Sequence, residues 1–180
     1  TVERVTLLME EIGGAPELRS VVPVARDAAK RAVEEGKGNE GVYCGAALRL
    51  PDGSIVAGSN SPDMHASSSL VLNAIKQLAK IPHEIDILTD TTIQSITRLK
   101  RDILHTRQLS LDLEESLIAL SVSAITNPAA SLAMQKLTDL KDCEMHLTHM
   151  PTPGDEAGLR LLGVNVTSDP SFAGKNLYVT

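Results

Sequence analysis

The sequence is almost without aromatic residues. Its 180 residues include no Trp, one Phe (Phe172) and two Tyr (Tyr43 and Tyr178). A core must therefore be assembled from Leu, Ile, Val, Ala and Met. The same poverty argues against a single-stranded nucleic-acid partner, which needs aromatic platforms for base stacking. Positive charge is also short. Seventeen Lys and Arg stand against 23 Asp and Glu, a formal charge of −6, which leaves no basic footprint for a phosphate backbone. Two cysteines, Cys44 and Cys143, form neither a disulfide framework nor a paired metal-binding motif. Both fall in predicted strands and read as core residues. They fit a reducing compartment, so the expected location is cytoplasmic. No apolar run approaches the roughly eighteen residues of a membrane span, and no membrane partner is expected.

What is present suffices for one domain with a sizeable core, residues 1–180. Residues 2–12 read as a helix with Val2, Val5, Leu8, Met9 and Ile12 on one face. A second helix covers 17–36, with Pro23 predicting a kink or a late start. Strands at 42–50 and 54–58 flank Pro51-Asp52-Gly53, which is hairpin chemistry: Pro fixes φ and Gly accepts a positive one. A polar loop, 58–69, then leads into a helix over 66–80, whose Leu70, Val71, Ala74, Ile75 and Leu78 make a buried stripe. Ile85–Leu88 reads as a short strand. Residues 90–107 read as an amphipathic helix with Lys100, Arg101 and Arg107 outward. A helix is expected over 112–125, and Asn127-Pro128 opens another that reaches about Leu140. Residues 143–149, 154–162 and 164–167 read as strand, helix and strand, with a last strand at 177–179. That strand–helix–strand ending predicts a parallel pair. With the hairpin it makes a mixed sheet carrying helices, an α/β fold. The chain starts at Thr1 in mid-pattern, so a processed chain or a segment of a larger protein is expected.

Two resemblances follow from particular residues. The hairpin followed by a helix opening with His65-Ala66-Ser67, and a later helix opening with Pro128-Ala129-Ala130-Ser131, resemble the cytidine-deaminase-like fold. The resemblance implies a three-layer arrangement with helices on both faces of the sheet, N-terminal helices over 1–37 and a helical insertion at about 86–125. In that fold the two openings are His-Ala-Glu and Pro-Cys-x-x-Cys, which bind zinc and move protons. Here Ser67 replaces the Glu, and Ala129 and Ser131 stand at positions of that second motif, where no cysteine remains. Alanine offers no metal ligand and a Ser hydroxyl is a poor one. The resemblance therefore implies a fold without the zinc chemistry, and no metal or other cofactor is expected. Across nearly the whole chain, strings such as GAALRLPDGSIVAGSNSPDMHASSSLVLNAIK and CEMHLTHMPTPGDEAGLRLLGVNVTSD resemble the C-terminal half of a bacterial family of uncharacterised proteins, domain of unknown function 1846. Its members are longer than 180 residues. This implies an upstream, nucleotide-binding region in the same protein and supplies no reaction.

The candidate site lies in the polar loop and at the helix openings. His65 sits at a helix N-terminus, where backbone N–H groups and the dipole favour anions. Asn60, Ser61, Ser67 and Ser68 surround it in sequence. Asn127 caps a helix expected to face the same cleft. His146 and His149 lie three apart on a predicted strand and point to opposite faces. His149, at the strand's C-terminal end, is the better site candidate. Thr152, Asp155 and Glu156 follow. Asp155 is a candidate general base, or with His65 and His149 a non-zinc metal ligand. Their simpler role is to suit the start of a helix. Two functions are therefore expected to compete. One is a small-molecule site, for an anionic or nucleotide-like metabolite, with His65, His149 and Asp155 as candidate catalytic groups. The other is a non-catalytic domain that assembles homo-oligomers or serves an upstream domain.

Overall fold

A computed structural model of the protein describes residues 18–173, together with 7, 9, 11 and 13–15. Of the helix expected over 2–12, residues 7, 9 and 11 are helical. The rest of it, and the strand expected at 177–179, lie outside the described residues. The first complete helix, α1, spans Val21–Glu34. It starts late, and Pro23 falls in its first turn, where a missing N–H breaks no helical bond.

The hairpin follows. Strands β1 (Gly45–Arg49) and β2 (Ile55–Ser59) pair antiparallel, and the turn is closed by Gly53 N–H donating to Leu50 O and by Gly53 at φ +86°. Helix α2 (Ala66–Leu78) comes next, then α3 (Asp90–Arg98), which runs into a π-helical turn over Leu99–Ile103. Helix α4 (Leu113–Ser123) is opened by a capping box: Asp112 accepts Glu115 N–H, and the Glu115 carboxylate accepts Asp112 N–H. Helix α5 (Pro128–Met134) is capped by Asn127. Strand β3 (Glu144–Leu147), helix α6 (Pro153–Leu161) and strand β4 (Asn165–Ser168) complete the described chain.

The four strands form one mixed sheet in the order β2-β1-β3-β4, with β1 antiparallel to both neighbours and β3 parallel to β4. Because side chains alternate along a strand, β1 divides its residues between two layers. Ala47 joins Val21 and Ala25 of α1 on one face, while Ala46 and Leu48 join Leu70, Leu113, Leu120 and Met145 in the main core. The scarcity of aromatics is met by close approach. A Cβ on Gly45 would stand 2.1 Å from Ala25 O, and one on Gly58 would stand 2.6 Å from Leu70 N, so α1 and α2 lie almost on the sheet backbone. Among the described residues, no helix is long and apolar enough to cross a membrane.

Three expectations are corrected. Ile85–Leu88 forms no strand; Ile87 and Leu88 are buried from an irregular segment, so their apolar pattern signalled burial rather than pairing. The helix expected over 90–107 ends early, and Lys100 is not outward. It is buried and donates to Glu115 Oε2 at 2.6 Å and to Ser110 O at 2.8 Å. The helix expected to reach Leu140 stops at Met134, and a 3-10 turn, Leu137–Leu140, delivers Leu140 to the core. Within the segment 86–125, Leu111, Leu113 and Leu120 are fully buried in the main core.

The close approach of α1 is the most direct constraint to test. Gly45→Ala is expected to cost about 3 kcal/mol, because its methyl meets backbone rather than a movable side chain. The urea midpoint of unfolding should fall accordingly, while an alanine at Gly41, which has open space but a positive φ, should cost less, about 1 kcal/mol.

Candidate functional site

The expected site residues are brought together around one carboxylate, Asp155, which is fully buried. Three helix starts converge on it. From the start of α2, His65 Nδ1 lies 2.8 Å from Oδ2 and the Ser67 hydroxyl donates to Oδ1 at 2.5 Å. From α4, the Leu113 N–H donates to Oδ1 at 3.0 Å. From α6, on which Asp155 itself lies, the Thr152 hydroxyl donates to Oδ2 at 2.7 Å. An ionised carboxylate has about four lone-pair positions, and all four are filled here.

Local chemistry explains each arrival. His65 takes an extended conformation as the N-cap of α2 and leaves its ring free of capping. Thr152 caps α6, and Pro153 occupies the first helical position. The starts of α4 and α6 touch because α6 carries glycine where they meet. A Cβ on Gly154 would stand 2.1 Å from Asp112 Oδ2, and one on Gly158 would stand 2.9 Å from Leu113.

The electrostatics follow from this packing. Burial works to raise the Asp155 pKa, but the hydrogen bond and charge of His65, with the Ser67 and Thr152 hydroxyls, outweigh it and hold the group at about 2. Asp155 is thus ionised near neutral pH with its lone pairs filled, and it orients His65. By accepting the Nδ1 proton of His65 it makes Nε2 the position where that ring gives or takes a proton. Nε2 lies 2.9 Å from Gln108 Nε2, whose amide also donates to Ser110 Oγ at 2.9 Å. Gln108 is exposed, so a surface side chain meets the Nε2 edge of His65.

Two further groups adjoin. His149, just past β3, is buried, and its Nδ1 meets no hydrogen-bond partner among the described residues. Burial lowers its pKa, against the pull of the Asp155 charge and with a further push from His65. Cys44 also feels the Asp155 charge, its thiol raised to about 11 chiefly by burial and further by Asp155. It is a neutral core thiol.

Other candidates go elsewhere. Asn60 braces the entry to β1, accepting Cys44 N–H and donating to Val42 O. The Ser61 hydroxyl accepts N–H bonds from Asp63 and Met64 within its own loop, and Ser68 donates to Leu111 O. Asn127 caps α5 and donates to Asp86 O, so it does not share the Asp155 cluster: the helix starts that meet α2 there are those of α4 and α6. Glu156 is exposed. His146 faces the opposite layer, with Nδ1 2.9 Å from Thr167 Oγ1 and Nε2 3.4 Å from Asp169 Oδ1. Sequence reasoning missed Leu113, Gln108 and Asp112. The i, i+4 pair Gly154 and Gly158 was the available signal, since it marks a helix face pressed against another segment.

The zinc site of deaminase-like proteins does not fit these residues. Ser67 is committed to Asp155, Ala129 has no ligand atom, and among the described residues no three His, Cys, Asp or Glu side chains are grouped to hold a metal ion.

Fold and site together define an α/β domain built on a four-stranded mixed sheet and a buried Asp–His pair. Residues 17–178 match the family described as domain of unknown function DUF1846, C-terminal, and the chain belongs to that family. It is 39% identical over 176 residues to a UPF0371 protein of Clostridioides difficile, covering 98% of this chain and 35% of the relative. UPF0371 proteins of Clostridium tetani and Fusobacterium nucleatum are each 36% identical over 99% of this chain, which spans 35% and 36% of their lengths. The chain thus spans about a third of the relatives it matches.

Asp155→Asn tests the cluster. Losing the charge and one acceptor pattern is expected to destabilise the protein by about 3 kcal/mol at pH 7. The sign of the pH effect is set by the depressed pKa. The stabilisation from Asp155 is present above its unfolded value of 3.8 and is lost as pH falls towards about 2, roughly 2 kcal/mol in all. Denaturation between pH 5 and 2 should show that extra acid loss in the wild type and not in the variant.

Proposed function

We propose that this is a zinc-free, deaminase-like domain whose His65 forms part of a small-molecule site. The observation that carries the reading is that Asp155 pins His65 at Nδ1 while Nε2 meets the amide of the exposed Gln108. A polar ligand group that displaces the Gln108 amide would meet a pre-oriented imidazole nitrogen, the geometry that general acid–base chemistry requires. The orphaned Nδ1 of His149 offers a second polar contact from the C-terminal edge of β3, where ligands of open α/β sheets gather. Strand order β2-β1-β3-β4 with β1 antiparallel, and His65 opening the helix after the hairpin, support the deaminase-like assignment. An anionic or nucleotide-like metabolite would engage the His65 edge, because the start of α2 already has Asp155 as its anion.

A second reading rests on a different observation. Helix α4 is apolar on two faces. Leu113, Ala119 and Leu120 face the core, and Ile118, Val122 and Ile125 make an exposed stripe along and just beyond the helix at 64%, 54% and 80% exposure. A contiguous exposed apolar stripe of this kind is normally covered by a partner surface. The stripe supports an assembly role, in which α4 packs against the part of the longer protein that the relatives carry outside the matched third.

The first reading is tested by a thermal-shift screen of nucleotides and small anionic metabolites. At a hundred times its Kd a true ligand is expected to raise Tm by about 5 °C, and His65→Ala should abolish the rise. If no compound stabilises the wild type more than His65→Ala, the site reading fails. For the second, Ile118→Glu with Ile125→Glu should change the stability of this domain by less than about 0.5 kcal/mol. In the full-length protein the same pair should lower the unfolding temperature or dissociate the assembly seen by light scattering. An unchanged full-length protein would sink the assembly role.

A further inference from the structure

We propose that the far end of α2 carries a second ligand site, a pocket for the oxyanion of a small carboxylate or phosphate metabolite, organised by the buried ammonium of Lys76. Lys76 is 8% exposed, and its Nζ donates to one acceptor, the carbonyl of His83, at 2.8 Å. Among the described residues no carboxylate pairs with it. The other deeply buried lysine gives the contrast. Lys100, at 7% exposure, has the same kind of backbone carbonyl partner and, in addition, the Glu115 carboxylate at 2.6 Å. An ammonium carries three donors, and burying one without a counter-charge is costly. Lys76 has the burial of Lys100 without its anion.

The place for that anion is beside it. Lys76 lines a cavity of about 390 Å³ between β2, α2 and the segment that follows α2. The lining holds no acidic residue. Gln77 and His83 stand with Lys76 at the polar side, and Val56 and Ile81 supply an apolar wall. Gln77 spends one amide hydrogen on Ser54 Oγ at 3.0 Å and keeps a second. Asn73 likewise spends one amide hydrogen on Ala57 O at 3.1 Å and also lines the cavity. The pocket therefore offers a charge-assisted donor, a neutral donor and a short apolar surface, which suits a ligand with one oxyanion and a few carbons. It is distinct from the His65 site: His65 and Lys76 lie eleven residue steps apart along α2, roughly 16 Å along the axis.

The test uses inorganic phosphate and, separately, acetate as probes, titrated into the protein at constant ionic strength and followed by amide NMR. Either anion is expected to shift the amides of residues 76–81 and 83 saturably, and which one binds more tightly identifies the source of the oxyanion. Lys76→Met, which keeps the stem and removes the charge, should weaken binding about tenfold or more, a single charge-assisted hydrogen bond. Lys76→Arg and His65→Ala should bind within about twofold of wild type, so a failure here is separable from a failure at His65. The proposal is overturned if neither anion moves those amides in the wild type at tens of millimolar, or if Lys76→Met binds as the wild type does.

Discussion

The Asp155 carboxylate is the constraint on which the rest of the structure depends. It is a full charge taken out of water, and such a group survives only when its lone pairs are filled. Filling them here needs an imidazole and a hydroxyl from the start of α2, a backbone N–H from the start of α4 and a hydroxyl from the start of α6. Each helix start brings a partial positive charge. One carboxylate therefore gathers three helices that hydrophobic packing alone would leave free to slide. It also explains why Ser67 is buried on a helix face that is otherwise apolar.

The same arrangement reshapes the expected chemistry of His65. A histidine at a helix N-terminus invites an external anion, but at α2 the anion is internal. What faces outward is Nε2, held in one orientation and meeting the Gln108 amide. Lys100 and Lys76 repeat the lesson in the opposite sign. Where the chain supplies Glu115, a buried lysine is complete and serves as a brace. Where it supplies only a carbonyl beside a cavity, the charge is available. The membership in the DUF1846 family sets the scale, since two thirds of the length of the relatives lies beyond this match.

Much of the fold was legible because its signals are local. Pro51-Asp52-Gly53 dictates its turn through the backbone freedom of three residues, and Asn127-Pro128 sets a helix start through a cap and a fixed φ. The stripe of Leu70, Val71, Ala74 and Ile75 states which face of α2 is buried. The misreadings share one cause. Ile85–Leu88 reads like a strand, yet it joins no strand of the sheet; Ile87 and Leu88 are buried from an irregular segment and Ile85 stays exposed. Lys100 looks like solvated charge until Glu115, fifteen residues later, is seen to reach it. Asn127 was placed in the cleft by analogy with a fold, and its side chain is spent on Asp86 instead.

The sequence by itself determined most of the elements, the mixed sheet and the polar loop at His65. Those conclusions rest on residue chemistry and on spacings of a few residues. The tertiary structure alone decided which helix starts meet. His65 and Asp155 are ninety residues apart, and Leu113 contributes a backbone N–H that carries no mark of residue type. A burial that closes such distances depends on how all the layers pack at once, and no local pattern encodes it.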